Sequence, residues 1–246
     1  MTTEPAVRTA TEPDMTTTLA PPATAHLTKI QINPRSDDAG PDLTNAQRLH
    51  HRVLSLTPDP PGTGTRRAAG VLYRLERDRT KHTLLIQSTA PLDLTHLPAD
   101  YATATDHRDI TPLLTWCQQG RAIRYRLDAA PQRSRPSTTT DAKGRRHRGK
   151  LFPLYGEEAT AWWHRKATEA GLTLDPHTLL TASQPAIFGR KKHPHEPGRM
   201  RFHMPITRFE GHAIITDPDA LRAAITTGVG RARAYGAGLL SIAPSR

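Results

Sequence analysis

Two segments of the chain carry strand-like and helix-like patterns in the same order. The first segment predicts a strand over 27–32, a helix from Asp42 or Thr44 to about Leu56, and strands over 71–76 and 83–88. The helix is inferred from apolar residues three or four positions apart, and the strands from alternating apolar and polar residues. The order of the first segment is therefore β-α-β-β.

The second segment repeats this order and completes it. Its patterns predict a strand over 123–127, a helix over 157–170, strands over 179–188 and 200–215 separated by a loop over 189–199, a helix over 218–227, and a strand over 239–243. The order βαββαβ is that of a ferredoxin-like, or RRM-like, fold. The 246 residues suffice for two such domains in tandem. We therefore predict the α+β class with antiparallel sheets, an N-terminal domain over 26–118 and a C-terminal domain over 119–246.

Residues 1–25 are rich in Thr, Pro and Ala and have no apolar periodicity. Such a segment buries too little surface to offset the entropy of ordering, so we predict a disordered tail. Met15 lies inside it, and a start there would leave both domains intact.

The charge balance limits the class of partner. Lys and Arg number 34 against 23 Asp and Glu, a formal net charge of +11, which favours a polyanion such as nucleic acid. The longest apolar stretches are too short to cross a membrane, and the N-terminus lacks the apolar run of a secretory signal. We expect a cytoplasmic protein. Cys117 is the only cysteine, so the chain has no internal disulfide or multi-thiolate zinc site, and we expect it in the core.

The stretch before the last strand, residues 228–238, is both glycine-rich and basic. It contains Gly228, Gly230, Arg231, Arg233, Gly236 and Gly238. It departs from the dinucleotide fingerprint because Arg233 replaces the third glycine and because the loop follows a helix. Glycines let the backbone approach a ligand and the two arginines add charge, a combination suited to a phosphate backbone. The alternative is a glycine-rich connection that happens to be basic.

Two further basic segments are candidate RNA contacts. The loop over 133–150 holds seven Lys or Arg and one Asp, and its candidate residues are Arg145, Arg146, Arg148 and Lys150. We expect it to be disordered when free and to order on phosphate, although a solvated linker between domains is the alternative. Arg190, Lys191 and Lys192 lie in the loop over 189–199, which either contacts RNA or is an edge protected by charge. His193 and His195 could bind a metal ion, but the loop supplies no third strong ligand beyond Glu196.

His50 is the candidate for proton transfer. On the predicted helix it shares a side with Gln47 and Leu54 at the margin of the apolar face, while His51 points elsewhere. An imidazole there can give or take a proton near neutral pH. RNA self-cleavage needs this service, because the 2′-hydroxyl must lose a proton and the 5′-oxygen must gain one. A purely structural histidine is the alternative.

Several stretches resemble one family. They are residues 31–36, 48–58, 71–76, 84–88, 125–131, 154–158 and 209–221, followed by the glycine-rich loop. In this order they are similar to the CasE family, the repeat endonucleases of type I-E CRISPR systems within the repeat-associated RNA-binding superfamily. The resemblance covers about residues 27–244.

The resemblance implies a tandem ferredoxin-like protein that cuts a repeat hairpin at the base of its stem without metal or cofactor. It also implies that the product, a guide RNA, stays bound and that the protein joins other Cascade subunits. The catalytic histidine of the family's Tyr-x-x-His motif falls on His50. The tyrosine position falls on Gln47, which can hydrogen-bond a ribose hydroxyl but is a poorer proton-transfer group. We expect a monomer when free and no membrane contact.

Two rival functions remain open from the sequence. One is a Cascade subunit that binds the hairpin with little or no cleavage, which the missing tyrosine favours. The other is a basic ribosome-associated or DNA-binding protein, which would not prefer a hairpin over a duplex of equal charge.

Overall fold

The computed structural model describes residues 24–58, 70–135, 139, 149–192 and 199–245, with the backbone alone at 191, 192 and 199. The predicted tail up to residue 23 lies outside this range, as do Arg145, Arg146, Arg148, His193 and His195. The last part of that predicted tail is packed, because Ala25 is buried and its N–H donates to the Thr111 hydroxyl.

The first half forms a four-stranded antiparallel sheet in the order β2-β3-β1-β4. Its elements are β1 (His26–Ile32), α1 (Ala39–Thr44), α2 (Ala46–Ser55), β2 (Leu72–Arg77), β3 (His82–Ser88), a 3₁₀ turn (Leu94–His96), β4 (Ala102–Asp109) and α3 (Thr111–Trp116). Leu49 and Val53 of α2 are buried against Ile30 and Ile86 of the sheet. This packing leaves the opposite side of α2 free to carry polar side chains.

The predicted single helix of the first half is two helices. Asn45, and not Asp42 or Thr44, caps α2, with its side chain accepting the Gln47 N–H. Asp42 lies within α1, buried, where its carboxylate accepts from Arg52 at 2.9 Å and from the Tyr101 hydroxyl at 3.2 Å. A buried carboxylate needs such partners, so the Asp42 side chain bonds to Arg52 and Tyr101 and does not cap α2.

The second crossover of the first half contains only the 3₁₀ turn where the βαββαβ order calls for a helix. Pro91 and Pro98 lie in this crossover. Proline lacks the N–H that a helix interior needs and biases the preceding residue toward extended backbone. The strand that follows, β4, has exposed side chains at almost every position, so it has no apolar alternation by which to predict it.

The second half contains the larger sheet, ordered β11-β5-β10-β8 with β9 paired to β10. Its elements are β5 (Ala122–Ala129), β6 (Gln132–Arg135), β7 (Lys150–Pro153), α4 (Gly156–Glu169), β8 (Leu172–Leu174), β9 (Leu180–Lys192), β10 (Arg199–Ile215), α5 (Pro218–Thr227) and β11 (Leu240–Pro244). Trp162 and Trp163 of α4 are both buried and stack on Phe209. With the sheet of the first half, this arrangement confirms the tandem ferredoxin-like prediction.

Two predicted loops contain strand. The loop over 189–199 is strand up to Lys192 and again from Arg199, so β9 and β10 form one long hairpin. The loop over 133–150, predicted to be disordered, is paired at its ends, with Arg135 opposite Lys150 in the β6–β7 hairpin. In both places the backbone hydrogen bonds of a ladder form between charged residues, which periodicity of apolar residues does not reveal.

The two halves are joined by hydrogen bonds from two buried side chains, Gln87 and Arg74. The Gln87 amide of β3 donates to the Ile225 carbonyl of α5 at 2.7 Å. The Arg74 guanidinium of β2 donates to the Ser241 hydroxyl of β11 at 3.0 Å. Leu114 and the buried Cys117 belong to the core of the second half, so this core begins before residue 119. These contacts hold the first sheet against the second half of the chain.

Candidate active site

His50 lies where helix α2 meets the glycine-rich loop. Its side chain is partly exposed, while the neighbouring Leu49 is buried in the core. The ring is edge-on to Tyr235 of the loop, with 5.9 Å between ring centroids, and is 5.8 Å from the ring of His51. The predicted place at the margin of the apolar face is therefore what the structure has. The imidazole is partly exposed at the junction of the two halves, with its Nδ1 atom buried.

Gln47, one turn before His50 on α2, is held at both ends of its amide. The Tyr235 hydroxyl donates to Gln47 Oε1 at 3.1 Å, and Gln47 Nε2 lies 2.8 Å from His51 Nε2. The structure thus places the two predicted catalytic residues on one helix with Tyr235 beside both.

The sequence interpretation did not assign Tyr235 or His51 to the site. Tyr235 is the only aromatic residue of the glycine-rich loop, and this was the one available signal.

The glycine-rich loop turns back on itself at four glycines, in a backbone conformation that other residues rarely adopt. Gly228, Gly230, Gly236 and Gly238 all have φ between +77° and +89°. A Cβ on Gly238 would stand 2.5 Å from the Val229 carbonyl oxygen, and one on Gly236 would stand 3.0 Å from the Tyr73 ring. The glycines therefore serve the packing of the loop against its own backbone and against β2.

Tyr73 of β2 anchors this loop to the first half. Its hydroxyl donates to the Ala234 carbonyl at 2.9 Å, and its side chain is buried. The residue after Ala234 is Tyr235, so this anchor positions the phenol that contacts Gln47.

The two arginines of the loop have different surroundings. Arg233 turns back and donates to the Thr227 carbonyl at 2.6 Å, which satisfies the end of α5. Arg231 is exposed and lines a concave surface with Gln132, Arg165 and Lys166. Arg231 is accessible to a ligand phosphate, whereas the guanidinium of Arg233 is partly used in holding the loop.

The β9–β10 hairpin brings positive charge to the start of α2. The backbone N–H of Arg190 donates to the Asn45 side chain at 3.2 Å. On the other strand of the hairpin, the Phe202 ring packs on Tyr235 with centroids 4.6 Å apart. Arg190 lies directly opposite Arg201 in the ladder, and both line a cleft of about 420 Å³ with Arg48. Like charges directly opposite in a sheet repel each other, so an anion in this cleft would be stabilised.

Lys191 and Lys192 continue the strand beyond Arg190, opposite Met200 and Arg199. Lys150 lies in the β6–β7 hairpin, which is tied to α4 by the ion pair of Arg133 with Glu158 at 3.0 Å. In the described part of the chain, the structure thus brings Gln47, His50, Arg190 and the glycine-rich loop together and leaves Lys150 on a different element.

Among the described residues, no group of three or more His, Cys, Asp or Glu side chains is arranged to hold a metal ion. Within the same ranges, no helix has the length and apolar character needed to span a membrane.

Comparisons with known proteins agree on one family. The sequence model of the family described as CRISPR associated protein matches residues 25–244. The CRISPR-associated endoribonuclease Cse3 of Thermus thermophilus is 29% identical over 226 residues, which cover 89% of this chain and 99% of that protein. The Cascade subunit CasE of Escherichia coli is 27% identical over 202 residues, 80% of this chain and 91% of that protein.

A solved structure of Thermus thermophilus Cse3, bound to an RNA representing a pre-cleavage complex, superposes with a TM-score of 0.67. It is 28% identical to this chain and covers 90% of it, with 100% of the Cse3 chain matched.

Proposed function

This chain belongs to the family of CRISPR associated proteins, and on that premise we propose that it cleaves the repeat hairpins of precursor CRISPR RNA. It is an endoribonuclease, and it keeps the processed guide RNA as a subunit of Cascade together with other Cascade proteins. The similarity to Cse3, whose structure represents a pre-cleavage RNA complex, and to the Cascade subunit CasE supports this function. Because the substrate is a transcript, we infer that the protein acts in the cytoplasm.

One observation carries the proposal for the site. His50 is a partly exposed imidazole that lies beside Tyr235 of the glycine-rich loop, and Arg190 is bonded to the cap of the same helix. A proton-transfer group thus lies on the helix whose start is beside Arg190, and it contacts the loop that carries the exposed Arg231. This is the combination that cleavage of a phosphodiester requires.

The cleavage is an internal transfer within the RNA. The 2′-hydroxyl loses its proton, its oxygen forms a bond to phosphorus, the bond from phosphorus to the 5′-oxygen breaks, and that oxygen takes up a proton. His50 serves one or both proton transfers, which are worth about 10²- to 10⁴-fold in rate. The products are a 2′,3′-cyclic phosphate and a 5′-hydroxyl. Every atom of the products comes from the RNA and from exchanged protons. Side chains supply the proton transfers and the charge stabilisation, so the mechanism that we propose uses no metal.

Arginines and lysines hold the hairpin in this account. We propose that Arg190, Lys191 and Lys192 of the β9–β10 hairpin contact the RNA backbone, as do Arg231, Arg233 and the glycines of the glycine-rich loop. We propose that Lys150, Arg145, Arg146 and Arg148 contact the stem of the RNA. The net charge of +11 makes this binding strongly dependent on salt.

The second candidate function is a Cascade subunit that binds the hairpin without cutting it. The observation that favours it is Gln47, an amide that does not titrate, at the position where the family has tyrosine.

Cleavage of a matching repeat RNA in EDTA separates the two functions. We expect cyclic-phosphate product from the full chain and no product from His50→Ala, with hairpin affinity changed by less than about threefold, since many phosphate contacts dominate binding. His177→Ala, which removes an exposed histidine from the turn before β9, is the control and should cleave normally. Intact RNA that is tightly bound by the parent chain would establish the binding function instead.

A further inference from the structure

We propose that Tyr235 is a positioning residue of the cleavage site, which aligns the Gln47 amide for the ribose 2′-hydroxyl at the scissile phosphate. The proposal rests on the nuclease function above and adds to it a residue from the opposite half of the molecule. Tyr235 and Gln47 are 188 positions apart in the chain.

The side-chain amide of Gln47 is hydrogen-bonded at both ends. Its Oε1 accepts from the Tyr235 hydroxyl at 3.1 Å, and its Nε2 is 2.8 Å from the His51 ring nitrogen. With the Tyr235 hydroxyl donating to Oε1 and Gln47 Nε2 donating to His51 Nε2, both ends of the amide are bonded. The amide plane is then held in one orientation on the surface of α2.

After these two bonds, the Gln47 amide still has hydrogen-bonding groups free for a ligand. A side-chain amide has two N–H donors and two oxygen lone pairs. One of each is used by His51 and Tyr235, so one donor and one acceptor remain. The remaining N–H can donate to the oxygen of a ribose 2′-hydroxyl, which orients that oxygen next to His50 and leaves its proton for the imidazole.

Tyr235 is itself held in place by its neighbours. Its ring packs against Phe202 with centroids 4.6 Å apart, and its backbone N–H donates to the Ala232 carbonyl at 2.8 Å. The residue before it is bonded to Tyr73, and the residue after it is Gly236, whose backbone lies against the Tyr73 ring. The phenol therefore presents its hydroxyl to Gln47 from a fixed place.

The fixed orientation of the Gln47 amide can serve catalysis in one way. An amide does not transfer a proton at neutral pH, so Gln47 can assist only by orientation. Orientation of reacting groups is a large part of enzymatic rate, and small misplacements reduce it strongly. Removing the Tyr235 hydroxyl would let the Gln47 side chain rotate, and the rate of the chemical step would fall while RNA binding would not.

Tyr235→Phe tests the proposal, because phenylalanine keeps the ring contacts and removes only the hydroxyl. We expect the single-turnover cleavage rate at saturating protein to fall about tenfold. The affinity for the hairpin and the thermal unfolding midpoint should stay as in the parent. Tyr155→Phe is the matched control: it removes a hydroxyl from an exposed tyrosine before α4 and should cleave at the parent rate.

A double-mutant cycle tests whether Tyr235 acts through Gln47. If it does, the variant carrying both Tyr235→Phe and Gln47→Ala should be no slower than Gln47→Ala alone. Full additivity of the two effects would overturn the proposal, and so would a Tyr235→Phe rate within about twofold of the parent. A parent chain that leaves the repeat RNA intact would instead be a failure of the nuclease function itself.

Discussion

His50 and His51 are adjacent in the chain but have different surroundings. His50 is partly exposed and lies edge-on to Tyr235, while His51 is exposed and hydrogen-bonded to Gln47. Consecutive residues on a helix differ by about 100° in direction, so only one of the two can face the glycine-rich loop. The periodicity of α2 predicted that His50 and His51 face different directions, while the choice of His50 for proton transfer rests on the family resemblance. The periodicity was insufficient to find Tyr235, because no local pattern relates residues from the two halves.

The two histidines should therefore differ in their effect on cleavage. We expect His50→Ala to slow the single-turnover rate by at least about 10²-fold. His51→Ala, which removes one of two bonds to Gln47, should slow it by about tenfold at most. Equal reductions in both variants would contradict the assignment of proton transfer to His50.

The glycines of the loop can be tested one at a time. Gly238→Ala adds a Cβ at 2.5 Å from a carbonyl oxygen in a backbone with φ of +89°. Gly120→Ala is the control, because φ there is +80° but nothing stands within 4 Å of the added Cβ. We expect Gly120→Ala to lower the free energy of unfolding by about 1 kcal/mol and Gly238→Ala by about 2 to 4 kcal/mol. Chemical denaturation measures both, and equal decreases would mean that the loop relaxes around the methyl group.

At the scale of elements, the β9–β10 hairpin shows where sequence patterns fail. Its end is charged on both strands, with Arg190 opposite Arg201, so apolar alternation stops while the ladder continues to Lys192. Strand β4 is missed for the same reason, since hydrogen bonding to β1 at the sheet edge holds it and burial does not. By contrast the predicted helix over 218–227 matches α5, whose start is fixed by Asp217 as its cap and Pro218 in its first turn.

The charge at the hairpin end predicts a specific salt dependence. Replacing Arg190 and Arg201 with alanine should weaken hairpin RNA binding and flatten the slope of log affinity against log salt by about 0.7 to 0.9 for each phosphate interaction that is removed. Replacing Arg79 and Arg108, two exposed arginines of the first half, is the charge-matched control. Filter binding over a salt series measures the slopes. The same slope in both double variants would show that the hairpin end contributes only general charge.

Arg145, Arg146 and Arg148 can be tested in the same salt series. Removing the three charges together should weaken binding and reduce the slope if the loop over 133–150 contacts RNA. An unchanged affinity and slope would assign that loop to a solvated linker.

At the scale of the whole molecule, charged side chains help to join the two halves. Glu76 of β2 accepts from Arg74 at 2.9 Å and from Arg126 of β5 at 3.2 Å. Burial alone would raise the pKa of Glu76, but the two guanidinium groups outweigh it and the pKa lies below its usual value of 4.5. Alternating patterns and length were enough to predict two tandem domains. The pairing of Glu76 with Arg126, which are 50 positions apart and lie in different sheets, depends on tertiary packing and was not predictable from either half.

This cluster gives stability a defined pH dependence. Since the folded pKa of Glu76 is lowered, its contribution is present above the unfolded pKa and is lost as pH falls through the folded value. Glu76→Gln should therefore reduce the fall in unfolding free energy below about pH 4.5. Glu169→Gln, at an exposed position at the end of α4, should leave that fall unchanged. Urea unfolding at a series of pH values measures it, and identical slopes in parent and Glu76→Gln would exclude this cluster as the source.

The account depends most on the RNA acting as its own nucleophile beside His50. A repeat hairpin with a single 2′-deoxyribose at the scissile nucleotide tests this directly, by single-turnover cleavage in EDTA with the full chain. We predict that the deoxy RNA binds as tightly as the all-ribose RNA and is not cut, while the all-ribose RNA yields a cyclic phosphate identified by its mass. Cleavage of the deoxy RNA at the same bond would contradict the account, because the nucleophile would then have to be water.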